Sequence, residues 1–183
     1  MKMQTLKDLY LDELKDTYDA EQQILKALPK MAKEAGNEEL RAAFEAHLDQ
    51  TQTQVERLEQ IFEELGEKPK GKKCEAMKGL LEEAKSMMEE AEDEDVRDAA
   101  MIGSAQKVEH YEIAAYGTLR TYAELLGHDE QAELLQETLD EEKETDENLT
   151  ELAVSCINME ANEEEEEEEE APSNRVKGQK ANK

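Results

Sequence analysis

The sequence predicts an all-α fold: four long amphipathic helices in a bundle, with an extra short helix between the second and third. Three observations carry that expectation. Glu, Lys, Leu, Ala, Gln and Met dominate and β-branched runs are missing, a composition of strong helix formers. Only Pro29 and Gly36 interrupt the first 65 residues. Apolar residues recur at three- and four-residue spacing over long stretches, the period of a helix with one buried face. At 183 residues the chain suffices for one domain with a substantial core.

The first helix is expected from about Thr5 to Ala35. Its apolar face holds Leu6, Leu9, Tyr10, Leu14, Tyr18, Ile24, Leu28 and Met31, with Glu13, Thr17 and Glu21 on or beside it. Pro29 should bend this helix, because proline lacks an amide donor and crowds the preceding turn. Gly36 ends it, and Asn37 is placed to cap the second helix. That helix, roughly Glu38 to Leu65, carries a stripe that is apolar at both ends and polar between them: Leu40, Phe44, His47, Thr51, Gln54 or Val55, Leu58 and Ile61 or Phe62.

Gly66 and Lys68-Pro69-Lys70-Gly71 make a loop. A shorter helix is expected from Cys74 to about Ala91. After the acidic patch Glu92–Asp95, the third bundle helix runs from about Val96 to Leu126. Gly127-His128-Asp129 breaks the chain, and the fourth continues to about Asn158. Residues 1–160 form the bundle on this reading. Residues 161–183, with the glutamate run Glu163–Glu170 and a Lys-rich end, are expected to be a disordered tail, since like charges repel and nothing apolar is available to bury.

Charge narrows the function. The formal charge is −27, of which the helical body keeps −23. Such a surface repels phosphates, and no basic stripe offsets it, so direct nucleic acid binding is not expected. No apolar run approaches the ~18 residues that span a bilayer, and the N-terminus lacks a signal-peptide hydrophobic region. Two cysteines are too few for a disulfide framework, which points to a reducing cytoplasm. Cys74 follows two lysines at a helix start, where positive charge and the helix dipole favour thiolate. Cys156 reads as packing.

The chemistry concentrates in Val108-Glu109-His110-Tyr111-Glu112-Ile113-Ala114-Ala115-Tyr116. Glu109 and Glu112 fall near the stripe of Ile102, Ile113 and Tyr116, and a carboxylate on a buried stripe must be paired, protonated or bound to a metal. Glu21 to Gln54 and Glu109 to Glu142 are both separated by 33 residues, so helical hairpins of similar length would bring all four to one layer. A polar layer inside a helical bundle is the sequence shape of a ferritin-like dinuclear site, where one Glu comes from each of two helices and a Glu-x-x-His pair from each of the others. This chain departs from that pattern. No histidine has a Glu three residues before it, and Thr51-x-x-Gln54 and Glu142-x-x-Thr145 stand at the paired positions. Glu112, Asp146 and His47 are substitutes, although His47 reads first as a hydrogen-bonded core histidine. His110 lies about 100° around the helix from Glu109 and is read as surface or interface.

Several passages together resemble the YciF/YciE family of ferritin-like, stress-associated proteins. They are Leu9-Tyr10-Leu11-Asp12-Glu13-Leu14 through Glu21-Gln22-Gln23, His47-Leu48 through Arg57-Leu58, Gly71-Lys72-Lys73-Cys74-Glu75-Ala76-Met77, Glu109-His110-Tyr111-Glu112 through Gly117, and Leu139-Asp140-Glu141-Glu142 through Asp146. The resemblance covers about Leu6 to Cys156. It implies a ferritin-like four-helix bundle, a homodimer and an association with stress.

Two readings are compatible with these features. In the first, the protein is a cytoplasmic, stress-associated, ferritin-like protein that binds divalent iron or manganese through Glu21, Gln54, Glu109, Glu112, Glu142 and Asp146, in peroxide or iron handling. In the second, it is a non-catalytic helical dimer whose polar layer only fixes helix register, with no metal, and which acts through protein partners.

Overall fold

Helix α1 (Leu6–Glu34) starts at a capping box: the Thr5 side chain accepts from the Asp8 amide while the Asp8 carboxylate accepts from the Thr5 amide. The structure is a computed structural model and describes residues 3–162. Helix α1 runs on through Pro29 without interruption. Asn37 then caps α2 (Glu38–Glu64) by accepting from the Glu39 and Leu40 amides, as expected of a short polar side chain at that place. Helix α3 (Glu75–Glu90) takes Cys74 as its N-cap rather than its first residue. Helix α4 (Glu94–Leu126) begins two residues earlier than the apolar pattern suggests, because Asp93 accepts from the Val96 amide at 2.8 Å and acidic residues suit a helix's first turn. Gly127 closes α4 with φ +75°, a left-handed conformation that favours glycine, and α5 (Asp129–Leu152) follows at once.

The helix expected to reach about Asn158 does continue past α5, first as a π-helical turn, Ala153–Ile157, and then as helix to residue 162. No feature of its five side chains explains the wider turn. The glutamate run Glu163–Glu170 lies outside the described residues.

Helices α1 and α2 form one hairpin, α4 and α5 the other, and the bundle closes through α1 against α4 and α2 against α5. Asp98, near the start of α4, is buried and accepts from the Gly36 and Asn37 amides, at 3.0 and 2.6 Å. That contact places the start of α4 beside the turn between α1 and α2. Every neighbouring pair in the ring is therefore antiparallel, and the segment between α2 and α4 must travel the length of the bundle. Its loop lies along α1, where the Lys72 amide donates to the Lys15 carbonyl. Gly71 passes so close that a Cβ there would stand 2.8 Å from that of Asp19. Helix α3 then covers the α1–α4 seam. The long crossover is the ferritin-like variant of the four-helix bundle. Among the described residues, no helix is long and apolar enough to cross a membrane.

The core is split. One cluster, at the Gly36 end, gathers Ile24, Leu28, Phe44, Met101, Ile102 and Leu149. The other, at the Gly127 end, gathers Tyr10, Leu58, Phe62, Leu119 and Leu135. Between them lie Glu21, His47, Thr51, Gln54, Glu109, Glu112 and Glu142, all buried.

Candidate metal centre

Each polar side chain in that layer is placed by helical spacing. Glu109, Glu112 and Tyr116 stand on one face of α4, three and four residues apart, and His47, Thr51 and Gln54 stand likewise on α2. Glu21 projects from α1 and Glu142 from α5. His47, Glu109, Glu112 and Glu142 offer ligand atoms that all lie within 4.8 Å of one another. His47 Nε2 stands 3.5 Å from Glu109 Oε1 and 4.0 Å from Glu142 Oε2, while its Nδ1 is 3.3 Å from Gln50 Oε1. Glu21 joins the group from the other side, accepting from the Tyr116 hydroxyl and lying beside Glu112.

Gln54 holds the α5 side of the layer. Its Nε2 donates to Glu142 Oε1 and, at 3.2 Å, to Glu141 Oε2. Arg57 grips that same Glu141 with two guanidinium bonds, at 2.6 and 2.7 Å, the fork geometry that fixes a carboxylate in place. Thr51 spends its hydroxyl on the His47 carbonyl, one turn back in α2. Asp146 stands apart from the group of four. Its oxygens meet Gln106 at 3.1 Å and the exposed His110 at 3.3 Å, on the outer side of α4.

What distinguishes the layer is how much of it has no partner. Glu21 Oε2, His47 Nε2, Gln54 Oε1, Glu109 Oε2, Glu112 Oε2 and Glu142 Oε2 are buried without a hydrogen bond. The two other such atoms among the described residues are guanidinium nitrogens of Arg97 and Arg120, on partly exposed side chains. Buried polar atoms normally find partners, and an unpaired one costs about 1–3 kcal/mol. Six such atoms lie in one layer, all of types that can ligate a cation.

The electrostatics agree. Burial, reinforced by the charge of Glu142, pushes the Glu21 carboxyl up to about 8. Burial likewise lifts Glu109 to about 7. Glu112 and Glu142 are held well above the usual carboxylate range by burial first and by their acidic neighbours second. Four carboxyl groups are thus kept from ionising together unless positive charge enters the layer.

The sequence pattern favours His47 as a core histidine because no Glu precedes it by three residues. The usable signal is its seven-residue spacing from Gln54, two helical turns on the same face. Cys74 departs from expectation. It is fully buried, and its thiol, 3.1 Å from the Tyr111 hydroxyl that itself donates to Asp16, is raised by burial rather than lowered.

The chain matches the family model described as a domain of unknown function, DUF892, over residues 5–162. It is 52% identical to Protein YciF of Escherichia coli over 162 residues, covering 88% of this chain and 98% of that one. The crystal structure of the E. coli stress protein YciF superposes with a TM-score of 0.82 at 53% identity, over 85% of this chain and 99% of that one. YcfI from Rhodopseudomonas palustris gives 0.80 at 50% identity, over 81% and 95%. A two-domain protein from Anabaena variabilis, with DJ-1/ThiJ/PfpI-like and ferritin-like domains, gives 0.55 at 19% identity, over 98% of this chain and 42% of that one. That last likeness concerns the fold alone.

Proposed function

This chain belongs to the DUF892 family of YciF-like proteins, and from that premise and the buried layer we propose that it is a stress-associated protein holding divalent iron or manganese between its helices. The observation that carries the reading is the convergence of His47, Glu109, Glu112 and Glu142 within 4.8 Å, in a layer where six buried ligand-type atoms make no hydrogen bond. His47, Glu109, Glu112 and Glu142 would hold one ion, with Glu21 and Gln54 on the flank where a second would sit. Four carboxylates balance the charge of two divalent ions, which removes the repulsion that otherwise keeps them protonated. Oxygen-rich sites with a single imidazole suit iron and manganese better than zinc or copper. Bound iron or manganese would supply one-electron chemistry towards peroxide, or a store of iron. The chain's own part is to exclude water with the two apolar clusters, to orient Glu142 through Gln54, and to hold a proton between Tyr116 and Glu21. We extend the proposal to a homodimer in the cytoplasm, a setting the free thiols of Cys74 and Cys156 suit.

Elemental analysis of protein purified without chelator tests the reading. Stoichiometric iron or manganese is expected, and Glu109→Ala should abolish it. Metal-free protein that also fails to take up added Fe(II) or Mn(II) would leave only a polar layer that sets helix register.

A further inference from the structure

Beside the polar layer, on the side of the Gly36 cluster, lies a cavity of about 150 Å³ reached by all five helices. Leu28, Phe44, Leu81, Val108 and Leu149 supply its apolar wall. Alanines keep it open. Ala43, Ala46, Ala84 and Ala105 face it from three helices, where longer aliphatic side chains would close the space. At its inner end stand His47 and Glu109. At its outer end it is lined by Ala46 and Asn148, both exposed, so it opens between α2 and α5. Helix α3, the element added to the four-helix plan, contributes Leu81 and Ala84 and so forms part of the wall.

The chemistry of the wall selects an occupant. Apart from His47 it carries no basic side chain, so a carboxylate or phosphate would find no counter-charge. Gln50, Ser104, Thr145 and Asn148 also line the cavity and can hold water, but a buried water needs two to four polar partners, which the aliphatic stretch does not offer. A dry cavity of about this volume accepts benzene or xenon in other proteins. We propose that this cavity is a binding site for a small, uncharged, predominantly apolar molecule of about benzene's size, held with one end against His47 and Glu109. With an ion in the layer, that molecule would lie beside it; this consequence alone rests on the function proposed above.

The test uses benzene as the probe on the full-length protein, first free of metal. Saturable binding is expected, followed by NMR, with the His47 imidazole resonances shifting while those of His110 and His128 stay put. Ala105→Leu should weaken binding at least tenfold. Ala46→Leu, at an exposed position that tolerates a larger side chain, should do the same by narrowing the mouth. Absence of saturable binding, unmoved His47 resonances, or unchanged affinity in both folded variants would overturn the proposal. In protein loaded with Mn(II), the bound benzene protons should broaden paramagnetically. Mn(II) bound without broadening would overturn the placement, whereas failure to bind Mn(II) at all would overturn the metal reading and leave the cavity decided by the metal-free measurements.

Discussion

Glu109 and Arg57 separate two kinds of contribution to the same layer. Glu109 is one of four residues whose ligand atoms converge, so Glu109→Gln, which keeps the volume, should weaken Mn(II) binding more than about 100-fold in calorimetric titration. Arg57 touches no member of that group and acts by holding Glu141. Its replacement by Ala should cost no more than about tenfold, the lower end of the range for losing a partner that orients a ligand, because Glu141 reaches Glu142 only through Gln54. Much of this layer was legible in the sequence. Glu109, Glu112 and Glu142 announce themselves as carboxyl groups on apolar stripes, and the equal spacing from Glu21 to Gln54 puts those two at the same level. His47 was harder, because the paired-ligand pattern that would have singled it out is absent. Asp146 illustrates the opposite limit. Spacing puts it one turn from Glu142, but half a helix's width decides direction, and Gln106 and His110 draw it outwards.

At the scale of the element, the turn between α1 and α2 depends on a side chain from elsewhere. Asp98→Ala would strip the Gly36 and Asn37 amides of their acceptor. A donor left unpaired costs at most about 1–3 kcal/mol, less where water reaches these half-buried amides, and in a domain of this size each kcal/mol lowers Tm by roughly 2–4 °C. Thermal unfolding followed by circular dichroism should show that drop. Gly71→Ala should destabilise too, since its Cβ would meet α1 at Asp19. Helix existence and order were readable because periodicity and capping residues are local. The start of α4 was less so, since a run of acidic residues reads equally as loop or first turn until Asp93 is seen to cap it. Burial at Cys74 was not readable at all. It depends on the crossover, which sets the Cys74 amide on Asp19 and its thiol beside Tyr111, itself bonded to Asp16.

At the scale of the molecule, the raised carboxyl groups set how stability varies with pH. Glu21 and Glu109 hold protons in the folded state up to about 8 and about 7, against a value of 4.5 for an ordinary glutamate. The unfolded chain releases those protons first, so the metal-free protein should lose stability steadily as pH rises from about 4.5 to about 8. Denaturant midpoints measured across that range check the sign. Metal uptake displaces the same protons, so affinity should rise over the same window, and the curves of metal-free and loaded protein should diverge towards alkaline pH. The surface acts separately. With a formal charge of −27, self-repulsion should ease as salt shortens the screening length from about 30 Å at 0.01 M to about 3 Å at 1 M. Tm of the metal-free protein should rise accordingly, without a change in its pH slope.

The two hairpins divide the six ligand-type side chains of the layer evenly: Glu21, His47 and Gln54 belong to one, Glu109, Glu112 and Glu142 to the other. Each hairpin closes over a short stretch of chain, whereas bringing them together requires the long crossover to be laid down along α1. Assembly of the layer is then expected to follow local helix pairing in folding. A cation bound there would act as a clasp, tying His47 of one hairpin to Glu109, Glu112 and Glu142 of the other in the native state. Its kinetic signature is a slower unfolding limb with an unaltered refolding limb, the pattern of interactions formed after the transition state.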